Sequence, residues 1–398
     1  MDSNGRRTSI GPSVVIVIAA FLLVALATSG GRALGGARPT HPAGTKSAAP
    51  SHQVPSSVTT ASSTTLGRNA ALTPVLHPSS RSSTTSTTAP LPGATAPTTT
   101  APAPSAPLAA GDIVYDGGIG GARFEVFAMH PDGTEVRQLT DDARYNSWWA
   151  RPSPDRTRIL FYRTPAGVPP TTYGRAELWM MSADGSNAHV VLPQGTNGWT
   201  FQAHGEWSPD GTRIVFTAAT TQALIMTTAA DGSDLRVLGG GPGANVDPSF
   251  SPDGRSIVYI GCPSWACNPA TTEVFVMPAD GAGSRTRLTF DAIRDQDPVV
   301  SPAGDRIAFL SATAPPGSTA PYGLWNLRTV GIDGTDVRQI TSGSALESAP
   351  RWSPDGARIW THRTAFDAYA WDLTSMRVDG SDLRPINMPN AQEFPALA

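Results

Sequence analysis

From Gly111 onward the chain repeats itself, and a repeat of this period admits few folds. Two signatures alternate. The first is Ser-Pro-Asp-Gly or a near copy, beginning at Ser153, Ser208, Ser251, Ser301 and Ser353. Six residues after each serine stands an isoleucine: Ile159, Ile214, Ile257, Ile307 and Ile359. Two residues further on come Phe161, Phe216, Tyr259 and Phe309, with Thr361 beside Trp360 in the fifth copy. The second signature is Asp-Gly, at Asp132, Asp184, Asp231, Asp280, Asp333 and Asp379, with an aliphatic residue before and after it.

The period is about 43 to 55 residues, and each unit holds four short apolar runs separated by turn residues. Segments such as RILFY, RIVFT and SIVYI alternate as strands do. The Asp-Gly turns suit tight hairpins, because glycine accepts positive φ and aspartate bonds back to the backbone. Four strands per unit at this period predict a propeller blade. Asp112-Ile113-Val114-Tyr115 matches the second strand of a blade with no first strand before it. Glu393-Phe394-Pro395-Ala396-Leu397 matches a first strand with no second after it. One split blade and five continuous ones predict an all-β, six-bladed propeller over residues 111–398, in which the C-terminal strand completes the first blade and removes an open edge.

The pattern Pro-x-Trp-Ser-Pro-Asp-Gly, an Ile and aromatic strand, then Leu-Trp-x-Met-x-x-Asp-Gly resembles the WD40-like repeat of the TolB-type propeller family. Trp207 to Gly211, Trp352 to Gly356 and Leu178 to Gly185 carry it best. The resemblance covers the propeller alone, since no counterpart of the TolB N-terminal α/β domain is present. It implies peptide binding, since TolB itself works with an outer-membrane system through a peptide inserted into its channel, but it does not carry that system over to this chain. Local departures are Arg156 in place of a turn glycine and Ala303 in place of a turn aspartate. The turn aspartates Asp155, Asp210, Asp253 and Asp355 fall one blade apart, which favours turn chemistry over a shared metal.

No catalytic motif stands out: there is no G-x-S-x-G, no H-E-x-x-H and no glycine-rich phosphate loop. Propellers of prolyl oligopeptidases are similar but precede a hydrolase domain, and no such domain is expected after the last strand. The expected function is binding or scaffolding, with no bound cofactor. The alternatives are a channel-mouth lyase or hydrolase using His204 with Glu206 or Asp247, and a sensory ectodomain acting through a membrane partner. Inner strands line the channel of a propeller. With the proline of DPSF as reference, the residues three before it are Ser147, Gln202, Asn245, Asp295, Glu347 and Gln392. One before it come Trp149, His204, Asp247, Asp297, Ala349 and Phe394, and one after it Arg151, Glu206, Ser249, Val299, Arg351 and Ala396. Strand alternation places all three sets on one face. The candidate ligand-binding residues are therefore Gln202, His204, Glu206, Asn245, Asp247, Asp295, Asp297, Glu347, Arg351 and Gln392. Their carboxylates make a calcium ion in the channel a candidate occupant, and the expected ligand is a protein, a peptide or a cell-wall glycan. Cys262 and Cys267 flank the short loop CPSWAC, and the simplest expectation outside the cell is a disulfide that staples it.

The first 36 residues read as an export signal. Arg6 and Arg7 precede an apolar run from Val14 to Ala27, and Ala25-Leu26-Ala27 resembles a cleavage site. No charge intervenes before Arg32, so both a cleaved signal peptide and an uncleaved helical anchor stay open. The basic flank places the rest of the chain outside the cytoplasm, with the membrane touched only through this segment. Residues 37–110 are rich in Ser, Thr, Pro and Ala, with four basic residues and no acidic ones. Such a segment cannot bury enough apolar surface to offset its chain entropy, and a disordered linker spanning roughly 50 Å is expected. The net charge of −3 gives no electrostatic reason to bind nucleic acid. A monomer is expected.

Overall fold

The computed structural model describes residues 107–398, apart from 120–122, 170–171, 265–270, 292, 314–323, 344, 366–371, 387–390 and 398. The expected export segment and nearly all of the expected linker lie outside the described residues. Among those described there is no α-helix. Two 3-10 turns, Tyr173–Arg175 and Thr196–Gly198, accompany 24 strands.

The strands form six antiparallel sheets of four. Blade 1 contains β1 (Ile113–Ile119), β2 (Arg123–Met129), β3 (Arg137–Gln138) and, beside β1, the last strand β24 (Ala391–Leu397). Blade 2 is β4 (Tyr145–Pro152), β5 (Arg158–Pro165), β6 (Glu177–Ser182) and β7 (His189–Leu192). Blade 3 is β8 (Phe201–Trp207), β9 (Arg213–Ala219), β10 (Ala223–Ala229) and β11 (Arg236–Gly239). Blade 4 is β12 (Asn245–Phe250), β13 (Ser256–Gly261), β14 (Glu273–Pro278) and β15 (Thr286–Arg287). Blade 5 is β16 (Asp295–Val300), β17 (Arg306–Thr313), β18 (Leu324–Gly331) and β19 (Arg338–Gln339). Blade 6 is β20 (Ala345–Trp352), β21 (Arg358–Ala365), β22 (Asp372–Arg377) and β23 (Arg384–Ile386). The first strands touch in the order β4, β8, β12, β16, β20, β24, and β24 also touches β4. β24 pairs with β1 in the register Ile113 to Leu397 and Asp116 to Glu393.

The Ser-Pro-Asp-Gly turns work as their chemistry demands. The Ser208 hydroxyl donates to Asp210 at 2.6 Å and accepts from the Arg213 amide at 2.9 Å. The same pair of bonds recurs at Ser251 and Ser353. These serine hydrogen bonds hold Asp210, Asp253 and Asp355 below the usual carboxylate range. Each aspartate is thus spent in its own turn. Where Ala303 replaces the aspartate, Ser301 donates to Asp305 instead, at 2.7 Å. Arg156, which replaces a turn glycine, adopts φ 60°, close to the 67° of Gly211.

The core lies between neighbouring sheets. Ile159, Phe161, Ile214, Phe216, Ile257, Tyr259, Ile307, Phe309 and Ile359 are all fully buried. Ile159 and Phe161 pack with Val114, Val126 and Ala128 of blade 1, and Ile257 and Tyr259 pack with Val215 and Ile225 of blade 3. Each such side chain contributes about 1.5–3 kcal/mol of burial.

Deletion of residues 391–398 is expected to lower the melting temperature of the propeller by about 5 °C or more, because β1 loses its hydrogen-bonded neighbour. An unchanged thermal transition measured by circular dichroism would contradict the β24–β1 pairing.

Candidate functional site

The inner strands do not keep a simple alternation. In β4, Ser147 pairs with Arg163 and Trp148 with Tyr162, but Arg151 pairs with Leu160, so Trp149 and Ala150 together oppose Phe161. The same two-against-one bulge occurs in β8, β12, β16 and β20. Its first residue is left-handed in every case: Trp149 at φ 55°, His204 at 58°, Asp247 at 55°, Asp297 at 51° and Ala349 at 47°. An extra residue in one strand shifts all later side chains to the other face. The residues three before and one after the reference position therefore lie on opposite faces, and the single shared channel face expected from alternation is corrected.

The outer set turns away into the blades. Gln202, Asn245, Asp295 and Glu347 are buried, as is Ser147. Gln202 Nε2 donates to the carbonyls of Ala176 at 2.7 Å and Pro193 at 3.2 Å. Asn245 Nδ2 donates to those of Ala223 and Gly241, both at 3.1 Å. Asp295 accepts from Thr289 Oγ1 at 2.7 Å and Ser311 Oγ at 2.6 Å. Glu347 lies 3.3 Å from Arg363. These side chains serve the blades. The side chain of Gln392 lies outside the described residues.

The other two sets converge at the centre of the ring. His204 Nδ1 meets Asp247 Oδ1. His204 is enclosed by Trp149, with ring centroids 4.7 Å apart, and by the edge of Tyr173 at 5.7 Å. Asp247 Oδ2 accepts from the Asp297 amide at 3.5 Å, and Asp297 Oδ2 from the Ala349 amide at 3.4 Å. Beside this chain, Arg151 Nε and Arg351 Nη2 bind the same oxygen, Oε1 of Glu206, at 2.7 and 2.5 Å. Glu206 stands in blade 3 and Arg351 in blade 6, so the bridge crosses the ring. Arg151 also stacks on Trp149, 4.1 Å from its centroid.

The electrostatics follow from this crowding. Burial and the facing charge of Arg351 pull Arg151 down to about 10, against the attraction of Glu206, and it stays charged at neutral pH. Burial and the negative charge of Asp247 raise Asp297, while His204 and Arg351 oppose the shift. Burial lowers His362 to about 3, with Arg151 adding to the effect, so this side chain stays neutral. Sequence reasoning selected His204, Glu206, Asp247, Asp297 and Arg351, but passed over Arg151 and Trp149 as ligand-binding candidates. The cross-ring bridge had no signal in a single strand, because its partners stand 145 residues apart.

Cys262 is buried, and its carbonyl accepts from Arg285 at 3.0 Å. Cys267 lies outside the described residues, and the expected loop staple with it.

Six four-stranded sheets around a polar, ion-bridged centre define a six-bladed β-propeller. The family model of the TolB beta propeller domain matches residues 198–397, and the chain belongs to that family. An uncharacterized protein of Agrobacterium fabrum is 26% identical over 188 residues, covering 46% of this chain and 60% of that protein. The Tol-Pal system protein TolB of Francisella tularensis subsp. holarctica is 29% identical over 111 residues, 27% of this chain and 23% of that protein. Among solved structures, TolB from Acinetobacter baumannii matches with a TM-score of 0.57 at 20% identity, over 72% of this chain and 66% of that one. The chain thus spans less than two thirds of each of these relatives, and the solved structure is a likeness of fold.

Glu347 carries a pH prediction. Burial raises it from 4.5 to about 7, against the pull of Arg363. A carboxyl raised on folding stabilises the protein fully below its unfolded pKa, and that contribution is lost as pH rises through the folded value. Between pH 5 and 7.5 the wild type should therefore lose stability relative to Glu347→Gln, by about 3 kcal/mol at most. Parallel stability profiles for the two proteins in urea titrations would refute this.

Proposed function

We propose that this chain is an extracytoplasmic, envelope-associated propeller that binds a protein or peptide partner at the mouth of its channel. The observation that carries the reading is the Arg151–Glu206–Arg351 bridge, which gathers charge at the ring centre where a polar segment can exchange ion pairs with it. Membership of the TolB propeller family supports a protein-binding role, and the relative named as a Tol-Pal system protein supports an envelope setting. The basic-then-apolar N-terminal sequence supports export, whether it is then cleaved or kept as an anchor.

The geometry favours binding over acid–base chemistry. His204 and Asp247 do form a pair, but the histidine is only 1% exposed beneath Trp149 and Tyr173. Oε1 of Glu206 is engaged by two guanidiniums.

Crosslinking on intact cells, with identification of the captured proteins, tests this reading. The wild-type chain should capture a discrete envelope protein. Arg351→Ala, which removes one side of the bridge and stands at the ring centre, should reduce capture about tenfold while leaving the thermal transition in place. Equal capture by both proteins would move the site away from the channel, and capture of no protein would reject the role.

A further inference from the structure

A second cluster of charge lies away from the channel, at the junction of blades 4 and 5. Glu273 opens β14, Asp291 follows β15, and Asp295 opens β16. One carboxylate oxygen of each lies within 4.8 Å of the others. Arg287 Nη2 takes Glu273 Oε1 at 2.6 Å, and Arg328 Nη1 takes Asp291 Oδ2 at 2.6 Å. Thr289 and Ser311 occupy the two oxygens of Asp295. Two oxygens are left over. Glu273 Oε2 and Asp291 Oδ1 are buried and accept no hydrogen bond, although the Glu273 side chain is only 1% exposed.

The equivalent junction of blades 1 and 2 is built differently. There Thr140 Oγ1 accepts from the Val126 amide and donates to Glu125 Oε2 at 2.5 Å. Thr289 likewise accepts from the Val274 amide, but its one proton goes to Asp295. Thr289 also stands within reach of Glu273, the counterpart of Glu125, but its single proton cannot serve both carboxylates. An orphaned buried carboxylate oxygen costs free energy unless a cation or a proton meets it.

We infer that Glu273, Asp291 and Asp295 form a calcium-binding site between blades 4 and 5. Three carboxylates with no nitrogen or sulfur donor suit a hard cation. Donor oxygens that all lie within 4.8 Å of one another can share one ion, and calcium accepts an irregular oxygen set where magnesium demands near-octahedral geometry. The Asp291 side chain is 33% exposed, which leaves an entry path and room for water ligands. Arg287 and Arg328 offset part of the negative charge, so the site is moderate in strength.

Calorimetric titration of the metal-free full chain at pH 8 with calcium chloride, and separately with magnesium chloride, tests the site. One calcium ion should bind with a dissociation constant of about 0.1–1 mM, more tightly than magnesium, and should raise the melting temperature. Asp291→Asn, at the partly exposed ligand, should weaken calcium at least about tenfold and abolish the thermal shift. Glu206→Gln in the channel should leave calcium binding unchanged, which separates this site from the channel reading. No heat and no thermal shift in the wild type would overturn the site, leaving protons to satisfy the orphaned oxygens. Retained calcium affinity in a folded Asp291→Asn protein would overturn it equally.

Discussion

The organisation of the ring centre depends on the bulge in each inner strand. A non-glycine residue in the left-handed region costs about 1–2 kcal/mol, and the inner strands β4, β8, β12, β16 and β20 each carry one at the bulge. The surroundings hold them there. Asp247 and Asp297 accept amides from the next blade in turn, and Asp116 accepts the Trp149 amide at 3.3 Å. The repeated strain and its repeated compensation form one device. It brings side chains at and after the bulge together at the ring centre, and leaves those three before the reference position on the opposite face.

That separation divides the polar residues into two populations with different work. The set three residues before the reference position joins each blade to its loops. Thr140, Thr289 and Thr341 take part by accepting the amides of Val126, Val274 and Leu327. The set at and after the bulge meets across the ring. A buried ion pair of this kind is weak evidence for stability, since desolvation offsets much of its attraction. Under the proposed function, two arginines sharing one oxygen of Glu206 form a constellation with which a ligand can exchange ion pairs.

Much of the fold was legible because its signals are local and repeated. Ser-Pro-Asp-Gly fixes a turn through hydrogen bonds spanning two to five residues, and the Ile and aromatic pair marks a strand buried between sheets. Even the departures follow the same logic, with Asp305 replacing the missing aspartate and Arg156 accepting the glycine conformation. The centre was only half legible. Position relative to the inner-strand proline identified His204, Glu206, Asp247, Asp297 and Arg351 as part of a polar ring. The bulge went unseen, since an inserted residue changes parity without leaving a mark in the hydrophobic pattern. Gln202, Asn245, Asp295 and Glu347 were consequently assigned to the channel, whereas they are buried within and between blades.

The central claim is that the partner binds where Arg151, Glu206 and Arg351 meet. Hydrogen–deuterium exchange on the full chain, with and without the captured partner, tests it most directly. Partner binding should slow exchange of amides in β8 and β20, which carry Glu206 and Arg351, and leave the outer strands β11 and β19 unaffected. Protection confined to the outer strands, with β8 and β20 unchanged, would contradict the account.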